Sequence, residues 1–243
     1  MHRRSFWTAV CLLCAVVLVA NEAAAQSLPR LKISDNRRFL VKEDGTPFFW
    51  LGDTVWDLFR RPNREEVNLY LETRAAQKFT VVQAVVLGEI CGASASNAEG
   101  HLPLKDNDPA QPNEAYFAHV DYVANKAESL GLYVGMLPTW GDHVSPLKGG
   151  EARRISTPQN AAGYGEFLSR RYRDKPIIWI LGGDHNPTPE EVLTWRAMAE
   201  GLDRGDNGAH LMTYHPRGGE PKLSIQPDED AASNHSGRRS AAR

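Results

Sequence analysis

Carboxylates, imidazoles and aromatic rings follow the apolar segments that this sequence predicts to be buried strands. The members of this set are Asp53, Glu89, Trp140, Asp142, His143, Asp184, His185, Tyr214 and His215. Two carboxyl groups can cleave a glycosidic bond, because one protonates the leaving oxygen while the other attacks the anomeric carbon or activates water. Aromatic faces can stack on sugar rings, and polar side chains can bind hydroxyl groups. The set is therefore typical of a glycosidase.

Asp184 is the first candidate for the catalytic acid. It follows an apolar segment and two glycines, Gly182 and Gly183, so its carboxyl group could approach a ligand closely. Glycines at such a position allow the backbone to come near another group. A helix N-cap or an aspartate of a surface loop is the structural alternative for this residue.

The other candidates are predicted to bind substrate at the same edge of the sheet. They are Asp53, Glu89, Trp140, Asp142, His185, Tyr214 and His215. Glu89 lies in a long loop, and long loops in such folds are often functional. Each candidate also has a structural interpretation, as a hydrogen-bonded carboxylate or histidine or as a core tryptophan. In an intact enzyme the second catalytic carboxylate would be Asp53, Glu89 or Asp142.

Metal-dependent hydrolysis is an alternative, because His143, His185 and His215 lie at the same predicted edge. A catalytic zinc site needs three defined protein ligands. The sequence contains neither a His-x-His after the first strand nor a His-Glu-x-x-His motif. We therefore expect no metal and no other cofactor.

The sequence also lacks the Gly-x-Ser-x-Gly turn of many serine hydrolases.

Alternating strand and helix patterns must position these side chains. Apolar strands are predicted at 48–53, 79–87, 132–137, 176–181 and 210–214. Continuous apolar runs of this kind are typical of parallel strands buried on both faces. Helices are predicted between them, and the last is expected to end near residue 201.

Helix starts have clear sequence signals. Asn63–Glu66 and Thr188–Glu191 are capping boxes, and Pro158 follows Thr157 at a first helical position. Gly131 lies where a helix C-terminus is expected. The result is a βα unit repeated four times and then a fifth strand, which indicates a parallel sheet.

A closed barrel and an open doubly wound sheet both fit this order of elements. No Gly-rich phosphate-binding turn follows the first strand, which weakens the doubly wound interpretation. Polar residues at every strand end favour the TIM (β/α)8 barrel, whose active site lies at that face. Five strands cannot close such a barrel. We therefore predict an α/β protein with an incomplete (β/α)8 barrel.

The composition is that of an ordinary globular protein. The 243 residues are 42% hydrophobic and 24% charged, with a formal net charge of −2. These values argue against a disordered chain, a fibrous repeat and a basic nucleic-acid-binding protein. The predicted partner is an oligosaccharide or polysaccharide rather than a nucleic acid.

The chain is predicted to have three parts. Residues 1–25 resemble a secretory signal peptide, because Arg3 and Arg4 precede an apolar run and a small-residue cleavage site at 23–25. The apolar run is too short for a comfortable membrane span. The protein is therefore expected to be secreted or periplasmic, with no membrane partner after cleavage. Residues 26–218 are predicted to form the partial barrel, and 219–243 a polar, disordered tail.

Four stretches of the sequence resemble the apiosidase-like glycoside hydrolases, glycoside hydrolase family 140. They are Gly45–Thr54, Leu137–Asp142, Ile180–Asp184 and Met212–Pro216. Their order and spacing over about residues 31–218 make the resemblance specific. It implies a (β/α)8 barrel and exo-hydrolysis of sugars, such as apiose, from the side chains of plant pectin. It also implies that Asp184, in its Gly-Gly-Asp motif, is the general acid/base.

The resemblance further implies a second catalytic residue, a glutamate on a later strand. The sequence after Gly219 is polar and has no counterpart of that region. We therefore expect a chain that is truncated after about the fifth barrel strand and lacks the second carboxylate. A non-catalytic, carbohydrate-binding remnant and a metal-dependent hydrolase are the alternative interpretations.

Overall fold

The computed structural model describes residues 27–88, 94–145 and 154–218. The predicted signal peptide, Glu89 and the predicted tail lie outside these ranges. The strands described are β1 (Leu31–Ile33), β2 (Leu40–Lys42), β3 (Gly52–Thr54), β4 (Val81–Leu87), β5 (Tyr133–Thr139), β6 (Ile177–Gly182) and β7 (Met212–His215). The helices described are α1 (Arg64–Ala76), α2 (Glu114–Ser129), α3 (Pro158–Arg171) and α4 (Pro189–Asp206). No helix in the described ranges is both long and apolar enough to cross a bilayer.

The five strands β3 to β7 form one parallel sheet in sequential order. A doubly wound sheet reverses its strand order at a switch point, whereas a barrel wall adds each strand beside the previous one. The described strands show no reversal. The structure therefore confirms an α/β fold with an incomplete (β/α)8 barrel and excludes the doubly wound alternative for this part of the chain.

The three central strands of the sheet, β4, β5 and β6, are buried on both faces. Along β4, Val82, Ala84 and Val86 belong to the core shared with the helices, whereas Val81 and Val85 contribute to separate clusters on the inner face. Successive side chains of a strand point to opposite faces, so a strand covered on both sides is apolar throughout. This explains why segment 79–87 predicts a strand so clearly.

The predicted helix starts are confirmed by their caps. In the box before α1, the Asn63 side chain accepts from the Glu66 amide at 3.0 Å, and the Glu66 carboxylate accepts from the Asn63 amide at 2.9 Å. Thr188 and Glu191 form the same box before α4. Pro158 occupies the first turn of α3. These signals are local, and they do not depend on tertiary packing.

The predicted end of α4 near residue 201 is wrong, because the helix continues to Asp206. Gly201 lies within the helix, where a Cβ atom would overlap the carbonyl oxygen of Ala162 in α3. Gly205 likewise approaches Ser169, whose Cβ atom would be 2.6 Å from an added Cβ. Both glycines therefore serve close helix packing and do not end the helix.

The predicted first strand at 48–53 is also wrong in its bounds, since β3 spans only Gly52–Thr54. Phe48 instead donates its amide to the Leu40 carbonyl in the β1–β2 hairpin at 2.8 Å. This hairpin has no predicted counterpart, because its strands are three residues long and carry no clear alternation. Through Leu31 of β1, the hairpin covers Val81, Tyr133 and Ile178 at the amino end of the sheet.

A buried carboxylate and imidazole join the end of α4 to the sheet. His210 Nδ1 lies 2.6 Å from Asp206 Oδ2, and His210 Nε2 lies 2.8 Å from the Lys175 carbonyl oxygen. The two side chains are 4% and 2% exposed. Burial alone would raise the pKa of Asp206, but hydrogen bonds and charge from His210, with the Ala209 amide, hold it below its ordinary value.

We expect Asp206→Asn to lower the free energy of unfolding by about 2–4 kcal/mol near neutral pH, because it leaves a buried imidazole without its charged partner. The folded-state pKa of Asp206 lies below the unfolded value of about 3.9, so the unfolded state binds the proton more tightly. The stabilisation is therefore present above about pH 4 and is lost as the pH falls through the folded-state pKa. Urea unfolding at pH 7 and at successively lower pH measures both effects.

The matched control is Glu200→Gln, which changes an exposed carboxylate on the same helix. It should alter the free energy of unfolding by no more than about 0.5 kcal/mol. A difference between wild type and Asp206→Asn that stayed constant down to strongly acidic pH would contradict the lowered pKa of Asp206.

Candidate functional site

Three rings meet where β3, β5 and β7 end. The ring centroids of Trp56 and Trp140 are 5.0 Å apart, and those of Trp56 and His215 are 5.7 Å apart. Trp140 and His215 are separated by 6.1 Å. We call Trp56, Trp140 and His215 the rim cluster. Since the carboxyl ends of barrel strands carry the active site in this architecture, the cluster marks the candidate site.

Asp184 leaves the end of β6 beside the rim cluster on an unusual backbone. Gly182, Gly183 and Asp184 have φ values of +92°, +112° and +49°, three successive residues in the left-handed region. Among non-glycine residues, aspartate and asparagine adopt this region most readily. The turn reverses the chain at the rim, and the Asp184 side chain is left 60% exposed.

Hydrogen bonds to β7 fix this turn. The Gly183 amide donates to the His215 carbonyl oxygen at 3.0 Å, and the Asp184 amide donates to His215 Nδ1 at 3.2 Å. Asp184 Oδ1 lies 3.6 Å from the same ring nitrogen. The structure thus presents one accessible carboxylate from a backbone that two adjacent strands hold in place.

The two glycines of the turn are required by their surroundings. A Cβ atom on Gly183 would lie 2.8 Å from the Trp140 ring, and one on Gly182 would lie 2.5 Å from the His215 carbonyl oxygen. Real Cβ atoms do not approach so closely. The Gly-Gly-Asp sequence therefore reflects both the left-handed backbone and the closeness of the rim cluster.

A second set of polar residues lies behind the rim. Asp142 is 8% exposed in the 3₁₀ turn Gly141–His143, and His143 Nε2 lies 2.8 Å from the Gly88 carbonyl oxygen. His185 Nε2 is 3.9 Å from Glu191 Oε2. Burial alone would raise the pKa of Glu191. Hydrogen bonds from Ser145 and Thr188 nevertheless hold this pKa below its ordinary value. Glu191 is thus an ionised, anchored carboxylate at the start of α4.

The predicted convergence of all candidates on one face does not hold for Asp53. Its carboxylate accepts hydrogen bonds from Tyr70 Oη at 2.9 Å and from the Arg74 guanidinium, both on α1. Burial alone would raise the pKa of Asp53. These donors and the Thr54 amide nevertheless lower it below its ordinary value. Asp53 therefore joins β3 to α1, and its role in substrate binding stays a prediction.

Tyr214 also faces away from the rim cluster. Its hydroxyl donates to the His185 carbonyl oxygen at 3.1 Å, and its ring packs edge-on against Trp195 of α4 at 5.8 Å. Burial raises the pKa of this hydroxyl, and Glu191 adds to the shift. Tyr214 and His215 are consecutive in β7, so they point to opposite faces of the sheet.

Of the predicted site residues, the structure brings Trp140, Asp184 and His215 together, with Asp142 and His185 behind them. Trp56 and Glu191 are missing from the predicted site. Trp56 had a signal, since it follows Asp53 by three positions at a strand end. Glu191 is visible in the sequence only as part of a capping box. Its place behind His185 depends on the path of the loop before α4.

Metal binding gains no support from the part of the chain that the structure describes. No group of three or more His, Cys, Asp or Glu side chains there is arranged to hold a metal ion.

We expect Gly183→Ala to destabilise the fold by about 2–4 kcal/mol, because alanine resists the left-handed backbone and its methyl group would displace Trp140. The melting temperature reports the stability, and the near-ultraviolet circular dichroism of the tryptophans reports the rim cluster.

Gly163→Ala is the control, because this exposed glycine of α3 has nothing within 4 Å of an added Cβ atom. It should be neutral or stabilising by up to about 1 kcal/mol. Equal effects of the two substitutions would contradict the packing described for Gly183.

Comparison with known proteins gives a family match over most of the chain. Residues 34–236 match the family model described as "Apiosidase-like, catalytic domain". This range includes part of the segment that the sequence predicts to be a tail. No curated protein matches the chain.

Solved structures agree with this match. A glycoside hydrolase of family 5 from Bacteroides vulgatus is 35% identical, with a TM-score of 0.67 over 77% of this chain and 40% of its own. A structure described as a glycoside hydrolase is 36% identical, with a TM-score of 0.66 over 78% of this chain and 41% of its own. A family 5 mannosidase from Rhizomucor miehei, 15% identical with a TM-score of 0.55 over 81% of this chain and 57% of its own, shares the fold alone.

The chain therefore spans about two fifths of the length of the first two of these structures. Its strand order agrees with the family match. The chain belongs to the family of apiosidase-like catalytic domains.

Proposed function

We propose that this chain contributes to an exported glycoside hydrolase that removes sugars from the side chains of plant pectin, with Asp184 as the general acid/base. The observation that carries the proposal is the accessible Asp184 carboxylate, held on a left-handed turn beside the rim cluster. Family membership supports the reaction class, and the resemblance in the sequence supports the pectic substrate.

The chemistry assigned to Asp184 needs a proton donor placed next to the bond that breaks. The protonated carboxyl group transfers its proton to the glycosidic oxygen as the bond to the anomeric carbon lengthens. A side chain that is 60% exposed can reach such an oxygen, and its fixed backbone limits the geometries it samples.

A second carboxylate is required to attack the anomeric carbon or to activate water. Asp53 is bound by Arg74 and Tyr70 on the helix side of the sheet, and Asp142 is only 8% exposed. Neither presents an open carboxylate as Asp184 does. We infer that the second carboxylate is not among the described residues.

The rim cluster supports sugar binding. Trp140 is 4% exposed and therefore supports its neighbours, whereas Trp56 is half-buried and His215 is about one third exposed. Aromatic rings that are rigidly packed at the mouth of a barrel can contact a sugar face with little loss of conformational entropy. We propose that the sugar lies against Trp56 and His215, with its leaving oxygen towards Asp184.

An exported location fits this substrate. Plant cell-wall polysaccharides are too large to enter a cell, and the basic and apolar start of the sequence has the pattern of a secretory signal peptide. We propose a secreted or periplasmic protein.

A carbohydrate-binding protein without catalysis is the second candidate function. The described rim offers a proposed sugar-binding surface and the open carboxylate of Asp184, while glycoside hydrolysis uses two carboxyl groups. Binding of a pectic oligosaccharide by the full chain with no release of free sugar would favour this candidate.

We expect Asp184→Asn to reduce turnover of an apiose-containing pectic oligosaccharide by at least about 10³-fold, because the amide cannot donate the proton. Binding should change little, because asparagine has the same shape and tolerates the left-handed backbone. Release of reducing sugar measures turnover, and calorimetric titration of the variant measures affinity.

Asp174→Asn is the matched control, since Asp174 is exposed and precedes β6 at its opposite end. It should retain wild-type turnover. Full activity of Asp184→Asn would overturn the assignment of the acid.

A further inference from the structure

His215 makes two separate contacts with the turn that carries Asp184. Its backbone carbonyl oxygen accepts the Gly183 amide at 3.0 Å, and its ring Nδ1 accepts the Asp184 amide at 3.2 Å. Consecutive amides of one turn are thus held by a single residue of the neighbouring strand. The left-handed backbone is unfavourable for Asp184, and Gly182 and Gly183 are flexible when unconstrained, so the turn depends on such external contacts.

The second of these contacts determines the tautomer of His215. A backbone amide can only donate, so Nδ1 must accept and cannot carry a proton. The neutral ring therefore carries its proton on Nε2. In this state the 3.6 Å approach of Asp184 Oδ1 to Nδ1 is not an ion pair, because Nδ1 has no proton to donate.

The rim cluster keeps the ring in this orientation. Trp56 and Trp140 pack against the His215 ring at 5.7 and 6.1 Å. A rotation of the ring out of this plane would remove Nδ1 from the Asp184 amide and would disturb both contacts. Trp56, which belongs to the proposed sugar-binding surface, and the nearly buried Trp140 therefore both help to fix the acceptor for the Asp184 amide.

We propose that His215 is the positioning residue of Asp184: its Nε2–H tautomer anchors the Asp184 amide and so orients the carboxylate without pairing with it. This assignment rests on the proposed catalytic role of Asp184, and it adds a positioning role to the sugar contact proposed above for His215. The tautomer is a statement about the structure alone and can be tested separately from catalysis.

Two substitutions separate the acceptor from the ring. His215→Phe keeps an aromatic ring for Trp56 and Trp140 but removes the acceptor. His215→Asn loses the ring but places an amide oxygen close to the position of Nδ1. Each is made in the full chain, and near-ultraviolet circular dichroism shows whether the rim cluster remains packed.

The tautomer is read from the long-range ¹H–¹⁵N correlation spectrum of uniformly labelled wild-type protein, with His215 assigned by its absence in the variants. We expect an unprotonated Nδ1 and a protonated Nε2. Loss of the acceptor in His215→Phe should speed hydrogen exchange of the Asp184 amide roughly tenfold, as expected for one hydrogen bond. The amide should stay protected in His215→Asn.

On a pectic oligosaccharide, we expect His215→Phe to lower kcat about 10²-fold, with KM changed by less than about threefold, because the carboxylate is misplaced and not removed. His215→Asn should recover kcat to within about tenfold of wild type. A protonated Nδ1, or equal losses in both variants, would overturn the proposal. Wild-type protein without turnover would contradict the proposed function, while the tautomer and exchange measurements would still decide the anchoring role.

Discussion

The hydrogen bonds from the Gly183 and Asp184 amides to His215 are the interaction on which the candidate site depends. They join the ends of β6 and β7, and they hold a left-handed turn that would otherwise relax. Without them the carboxylate of Asp184 would belong to an ordinary exposed loop. With them it has a defined place beside Trp56 and Trp140, at the face where barrel enzymes carry out their chemistry.

The rim cluster packs on the apolar inner face of the parallel sheet. The parallel sheet orders its strands so that their carboxyl ends lie side by side, and the apolar inner face under the rim cluster consists of Val85, Leu137 and Ile180. The β1–β2 hairpin covers the opposite, amino end of the sheet. The hairpin and the candidate site therefore lie at opposite ends of the same strands, as the stabilising and catalytic faces do in complete barrels.

Sequence patterns predicted this architecture well where the deciding forces are local. The capping boxes at Asn63 and Thr188 and the apolar run at 79–87 act through neighbouring residues, and the structure confirms them. Prediction failed at Gly201, which has the sequence signature of a helix end but allows α4 to approach α3. It also failed to separate Tyr214 from His215, because the register of β7 decides which side chain faces the rim. The place of Glu191 behind His185 and the donors to Asp53 depend on tertiary contacts that no spacing reveals.

The glycine contacts between α3 and α4 have a consequence for how the domain can move. Where backbone approaches backbone at Gly201 and Gly205, sliding one helix past the other would bring carbonyl groups into collision. The helices α3 and α4 are therefore expected to move as one rigid body packed against β6 and β7. Adjustment to a bulky ligand is therefore expected in the connections that follow the carboxyl ends of the strands and not between α3 and α4.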